Sequence, residues 1–247
     1  MILSYDSIRV RLGSKQILES VSLSTQPSKL VGIVGPNGCG KSTLVKTTFG
    51  TVPRQGGRIT LDGEPVEHFS PRKLASILGY VGQDSSCAFD FSVSDVVSMG
   101  LYARGDAKNG KQIVRDAMEE LGVAALADRN IQSLSGGERK MVFIARAIAQ
   151  GAQTLILDEP TNHLDIRHQL FVMDYLKRAK KDTLMVIHDL RLAAHYCDYL
   201  YMFCDGRVYA EGTPEQVLRK ENVQHVFGVS GYAAGAAEGN PDFILFG

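Results

Sequence analysis

The chain has no surplus of charge of either sign: Lys plus Arg and Asp plus Glu are both 27, for a formal net charge of zero. That balance removes the basic excess on which nucleic-acid binding or attachment to an acidic membrane surface draws, so no nucleic-acid partner is expected. Cysteine is scarce. The four present (Cys39, Cys87, Cys197 and Cys204) form no CxxC pair and no zinc-ligand array, and read as free thiols of a reducing compartment. The opening "MILSYDSIRVRLGSK" has no basic head followed by an apolar core, so it does not read as a signal peptide. Apolar runs such as "LVGIVG" and "TLILDEP" are far too short to cross a bilayer. No internal repeat is present. These absences describe a soluble cytoplasmic chain. A hydrophobic content of 44% against 22% charged, over 247 residues, then supplies a substantial core and argues against disorder.

The first thirty-odd residues alternate as strands, "SIRVRL" and "QILESVSLST". A buried strand, "KLVGIVG", runs into a glycine loop, and "KSTLVKTTFG" reads as a helix closed by Gly50. "GGRITLDGEPV" reads as a strand and hairpin, and "ILGYVGQD" as a short strand. From about Ser92 to Gln132 the segments "SVSDVVSMGLYA", "KQIVRDAMEELG" and "VAALADR" are helical, with no strand between them. Strand–helix alternation then resumes through "TLILDE", "IRHQLFVMDYLKRAK", "TLMVIHD", "LRLAAHYC", "YLYMFCDG" and "RVYAEG". The expected fold is α/β: a mostly parallel sheet covered by helices, preceded by an antiparallel β subdomain and interrupted by a helical insertion. One domain over 1–247 is expected, with the insertion at about 84–135.

"GPNGCGKST", comprising Gly35, Pro36, Asn37, Gly38, Cys39, Gly40, Lys41, Ser42 and Thr43, matches G-x-x-x-x-G-K-[ST] between a strand and a helix. The glycines let backbone N–H groups approach phosphates, Lys41 reaches the β and γ oxygens, and the Ser42 hydroxyl suits Mg²⁺. In "TLILDEP" an apolar strand ends in Asp158, placed to hold Mg²⁺ through its water shell. Glu159 points differently and is placed to polarise a water for attack on the γ-phosphate. "LSGGERK" opens another helix with a serine and two glycines, a second set of free N–H groups.

"GPNGCGKST", Gln83, "LSGGE", "LILDEP", "NHLD" and His188 occur in the order of the ATP-binding-cassette ATPase family, which the chain resembles over nearly its whole length. The resemblance implies a P-loop NTPase core, ATP and Mg²⁺ as cofactors, and ATP hydrolysis coupled to transmembrane transport. It implies a head-to-tail homodimer in which Ser135, Gly136 and Gly137 cap the ATP held by the partner's phosphate loop. Gln83 would sense the γ-phosphate and Mg²⁺ and link to an integral membrane permease. His188 would hold the γ-phosphate and orient the attacking water, and Asp165 would bridge the two subunits. Where the family stacks an aromatic ring on adenine, this chain has Leu12, leaving apolar contact or the flat Arg11 guanidinium for the base; Tyr5 lies too early to substitute.

Cys39 sits at a helix start, where a thiol pKa is typically lowered, although a small residue also simply fits there. The resemblance further implies an importer subunit on the cytoplasmic face of the membrane. "EPTNHLDIRHQ", "GQDSSCAFDFSVSDVVSMGLYAR" and "EGTPEQVL" resemble ATPases of type II importers for iron–siderophore complexes, haem and cobalamin, which work with a permease and, indirectly, a substrate-binding protein. The chain is short for a sugar-importer ATPase with its added β domain. Zinc or manganese importer ATPases, or a non-transport member, are the alternatives. In "CAFDFSVSDVV" Phe89, Phe91 and Val93 alternate as an apolar strip suited to the permease, or else as core of the helical insertion.

Overall fold

The computed structural model describes residues 1–83, 89–105, 108–234 and 242–246; Cys87 lies outside them. Strands β1 (Leu3–Leu12) and β2 (Lys15–Ser24) are followed by β3 (Leu30–Val34) and helix α1 (Lys41–Thr47). Strands β4 (Gly56–Leu61) and β5 (Glu64–Pro65) lead to α2 (Pro71–Ile77) and β6 (Leu78–Val81). A run of helices comes next: α3 (Val93–Ser98), α4 (Leu101–Arg104), α5 (Gly110–Glu120) and α6 (Gly136–Ala149). Alternation returns with β7 (Thr154–Asp158), α7 (Ile166–Ala179), β8 (Asp182–Val186) and α8 (Leu190–Tyr196). The chain closes with β9 (Tyr199–Cys204), β10 (Arg207–Gly212), α9 (Pro214–Val217), α10 (Lys220–Phe227), β11 (Ser230–Ala234) and β12 (Asp242–Phe246).

These elements form two compact units, residues 1–68 with 176–247, and residues 69–175. In the first, β2, β1, β4 and β5 make an antiparallel sheet in that order. Strand β1 buries Leu3, Tyr5, Ile8 and Val10. The step of three between Tyr5 and Ile8 breaks strict alternation; a register shift there, with Ser7 at φ 52°, turns both side chains inward. The same unit holds β3 between β8 and β9, parallel to both, with β10 antiparallel to β9. β3 and β8 are buried along their whole length, which is why β3 and the Leu184–Val186 part of β8 read as continuous apolar runs rather than alternating ones. The β3 end then delivers the chain into the glycine loop and α1.

The second unit pairs β6 with β7 in parallel. Two of its helices start on sequence-encoded caps: Ser70 before Pro71 for α2, and a Ser92–Asp95 capping box for α3. Val93, Val96 and Val97 on α3, Val114 and Met118 on α5, and Met141 and Ile144 on α6 are buried. This unit contains the helical stretch read from the sequence and is wider than it, because β6, α6 and β7 belong to it too. "VAALADR" is not a helix; Gly122, at φ 68°, follows α5, and the next residues make a single 3-10 turn at Ala124–Leu126. Among the described residues no helix is long and apolar enough to cross a membrane.

Candidate functional site

The glycine loop of the first unit has a backbone that side chains would not tolerate. Gly35 has φ 151° and Gly40 φ 106°. A Cβ on Gly35 would lie 2.5 Å from the Phe203 carbonyl oxygen, and one on Gly40 would lie 2.5 Å from Leu18 Cδ2. Both glycines are therefore fixed by conformation and by space. Lys41, 4% exposed, folds back over the loop and donates from Nζ to the carbonyls of Gly35 and Pro36, each at 2.8 Å. A buried ammonium resting on backbone carbonyls, in a loop of closely approaching backbone, is the chemistry that takes a polyphosphate. Pro36 is half-buried, Asn37 and Gly38 are exposed, and Ser42 and Thr43 are half-buried.

Cys39 is not an activated thiol. Burial pushes its pKa up, outweighing the Lys41 ammonium 3.8 Å from its sulfur, so the lowering typical of a helix start does not operate here. Leu12 ends β1 opposite Lys15 and is 46% exposed, a free apolar surface. Arg11 beside it donates from Nε to Gln16 Oε1 at 3.2 Å. Tyr5 is excluded as a ring for the base: it is 2% exposed, its hydroxyl is 2.5 Å from Thr48 Oγ1, and burial raises its pKa strongly. His188 follows the end of β8, half-buried, one residue before Asp189, which caps α8.

The second unit brings Gln83, Asp158 and Glu159 together at the ends of β6 and β7. Asp158 is fully buried, and its charge helps raise the Tyr80 pKa after burial itself. Glu159, 6% exposed, has φ 54°. A bulky residue held there costs on the order of 1–3 kcal/mol, strain of the kind kept at functional positions. The positive φ also turns Glu159 away from the direction of the β7 strand. Gln83 Nε2 donates to Glu159 Oε2 at 2.9 Å, and Asn162 Nδ2 donates to the same oxygen. Both amides orient the carboxylate. Within this unit Asp158 and the Gln83 amide oxygen are hard oxygen donors, of the kind that suits Mg²⁺ rather than a soft metal.

Ser135 caps α6 in a capping box. Its Oγ accepts from the Glu138 N–H at 3.2 Å, while its own N–H and hydroxyl donate to Glu138 Oε2 at 2.9 and 2.8 Å. The Ser135 N–H first, then its hydroxyl, hold the Glu138 carboxyl below its ordinary range. A Cβ on Gly136 would meet nothing within 4 Å, and one on Gly137 only Leu164 Cδ2 at 3.4 Å. This chain's own packing therefore does not require glycine at either position. Asp165, ahead of α7, accepts from the His168 backbone N–H at 2.9 Å, with the His168 ring 2.8 Å away; these contacts lower its pKa.

Asn162, inside the "EPTNHLD" string, was given no role by the sequence, and neither was Lys140. Lys140 carried a signal: it lies on the apolar stripe with Met141, Ile144 and Ala147, a position where lysine is rarely buried. The apolar strip divides. Phe89 is 68% exposed, Phe91 is half-buried with its ring edge-on to Phe89 at 5.9 Å, and Val93 is core.

The family model described as ABC transporter matches residues 18–162. The chain is 39% identical over 234 residues to the cobalamin import ATP-binding protein of Halobacterium salinarum, covering 92% of this chain and 59% of that protein. It is 40% identical over 228 residues to the hemin import ATP-binding protein of Hahella chejuensis, covering 87% of this chain and 88% of that one. The chain thus spans about three fifths of the archaeal relative and most of the bacterial one. Among solved structures, an inward-facing putative metal-chelate type ABC transporter superposes with a TM-score of 0.82 at 24% identity, covering 99% of this chain and 97% of that one; at that identity the likeness speaks for the fold alone.

Proposed function

Because the chain belongs to the ABC transporter family, we propose that it is the ATP-hydrolysing subunit of an importer for a metal chelate: haem, cobalamin or an iron–siderophore complex. The loop from Gly35 to Thr43 holds the phosphates of ATP through its N–H groups and Lys41. Ser42, Asp158 and Gln83 would hold Mg²⁺, which would supply positive charge against the phosphates. Glu159, oriented by Gln83 and Asn162, takes a proton from the attacking water, and His188 steadies the γ-phosphate and that water. Leu12 gives the base an apolar contact without a ring to stack on.

Ser135, Gly136 and Gly137 serve the ATP of a second copy, and Asp165 bridges the two copies. ATP binding therefore closes a head-to-tail homodimer and hydrolysis releases it. The dimer works on the cytoplasmic face of the membrane against permease subunits, with a substrate-binding protein delivering cargo to them. The bare surface at Gly136 supports a role toward a second copy, since glycine there answers no need of this chain. The observation that carries the importer reading is the near-full-length likeness to a hemin import ATP-binding protein.

The test is reconstitution with candidate permease and binding-protein subunits from the same genome, assaying ATP-dependent uptake of haem, cobalamin and ferric siderophores. Uptake of one of them with ATP consumption is the expected result. A purified chain that binds no ATP and turns none over in Mg²⁺ defeats the proposal.

A further inference from the structure

Lys140 is 3% exposed on the inward face of α6. Its Nζ donates to the Gly82 carbonyl at 2.9 Å and to the Gln83 carbonyl at 3.3 Å. Its neighbour Arg139 donates to the Leu134 carbonyl at 3.1 Å and to the Gln132 carbonyl at 3.4 Å. Two adjacent side chains in the first turns of one helix thus hold backbone at two places. One is the segment that enters the Ser135 cap, and the other is the strand end that carries Gln83. A Met or Leu would fill the volume of the Lys140 stem, so packing alone does not call for a charge at this depth. Taking an ammonium out of water is costly unless it is well partnered. Among the contacts of the described residues, the charge grips the two carbonyls.

The contacts continue from there. Gln83, whose carbonyl is held by Lys140, reaches with its side chain to Glu159 Oε2. Ser135 and Glu159 are therefore joined within one unit through α6, Lys140 and Gln83. We propose that Lys140 is a positioning residue that sets the Gln83 backbone against the Ser135–Gly137 turn, so that Gln83 orients Glu159 only while that turn is in place. The proposal rests on the ATPase reading and deepens it. In the head-to-tail pair the turn attends the partner's nucleotide and Glu159 its own, so Lys140 links the two ATP sites of a single subunit.

The test uses the full chain as wild type, Lys140→Met and Lys140→Arg, followed by steady-state ATPase kinetics and by amide hydrogen exchange without nucleotide. In Lys140→Met, exchange should quicken at residues 79–83 and 133–138 while the loop at 35–43 stays as in wild type. Its kcat should fall by roughly tenfold or more with KM for ATP within about twofold, the pattern of a lost transition-state interaction. The steepness of the ATP dependence should flatten. Lys140→Arg, which can still donate to two carbonyls, should recover most of the rate. Unchanged exchange at 79–83, or a rate loss matched by faster exchange throughout 69–175, overturns the proposal and leaves Lys140 a stabilising residue only. If the wild type itself turns over no ATP, the ATPase reading fails, and exchange at the two segments still decides whether Lys140 ties them.

Discussion

Gln83 and Glu159 are joined by a 2.9 Å hydrogen bond from the Gln83 amide to Glu159 Oε2. Gln83 is exposed just beyond β6, whereas Glu159 is buried just beyond β7. The bond links a residue open to outside contact with the proposed base. A displacement of Gln83 by a partner would therefore be felt at Glu159 first. The strained backbone of Glu159 leaves it dependent on that support.

Lys41→Ala removes the buried ammonium that spans the loop carbonyls. ATP binding measured by calorimetry should be lost or fall by a hundredfold or so, equivalent to about 3 kcal/mol. Thermal unfolding should change little. ATP binding of wild-type affinity in this variant would contradict the phosphate-loop assignment.

Tyr5→Phe leaves the Thr48 hydroxyl without the buried partner it has in the native chain. It should cost about 1–2 kcal/mol of stability with no effect on the affinity for ATP. Leu12→Tyr should do the reverse, tightening ATP by up to roughly tenfold through base stacking while leaving stability alone. Competition between ATP and GTP in the wild type should show only modest preference. A Tyr5→Phe variant with weakened ATP binding and unchanged stability would contradict the core role of the Tyr5 hydroxyl.

Glu138 is held below its ordinary value of 4.5 by the Ser135 N–H and hydroxyl. A carboxyl depressed in the folded state stabilises the fold above its unfolded pKa and loses that contribution as pH falls through the folded one. The capping box is at the surface, so the effect should be less than about 1 kcal/mol. The melting-temperature gap between wild type and Glu138→Ala should be present at neutral pH and should close in acid below the folded pKa. A gap independent of pH would show that the charge of Glu138 contributes nothing.

Much of the order of elements was legible in the sequence, because buried parallel strands leave apolar runs and Ser135 with its glycines marks the start of α6. The short helix α2, behind Ser70 and Pro71, is not among the elements read from the sequence. Candidate site residues could be named from the sequence where type and spacing suffice, as at Gly35, Lys41, Asp158 and Glu159. Tyr5 was harder, because the bulge at Ser7 that turns it inward leaves no mark on a pattern of alternation. At Cys39 the sequence leaves open a lowered thiol pKa beside the plain fit of a small residue, and burial, which depends on tertiary packing, leaves the plain fit. Lys140 and Asn162 act through contacts to residues distant in the chain or through an exact turn; the apolar stripe around Lys140 marks its burial but not its partners, and nothing in the string marks Asn162.

Phe89→Asp places a charge on a ring that is 68% exposed. The isolated chain should fold, bind ATP and keep its basal turnover, yet fail to co-purify with the permease. Phe91→Asp, half-buried, should in addition lower stability. Normal assembly and uptake with Asp at position 89 would show that the permease docks elsewhere.

Light scattering of Glu159→Gln with ATP and Mg²⁺ tests the nucleotide-sandwiched dimer most directly. The variant keeps shape and hydrogen bonding and removes the base, so the 26.9 kDa chain should double in mass on adding ATP while hydrolysis nearly stops. Adding Ser135→Arg should return it to monomer with ATP still bound to the phosphate loop. A Glu159→Gln chain that stays monomeric in ATP and hydrolyses it at the wild-type rate would contradict both the base and the dimer.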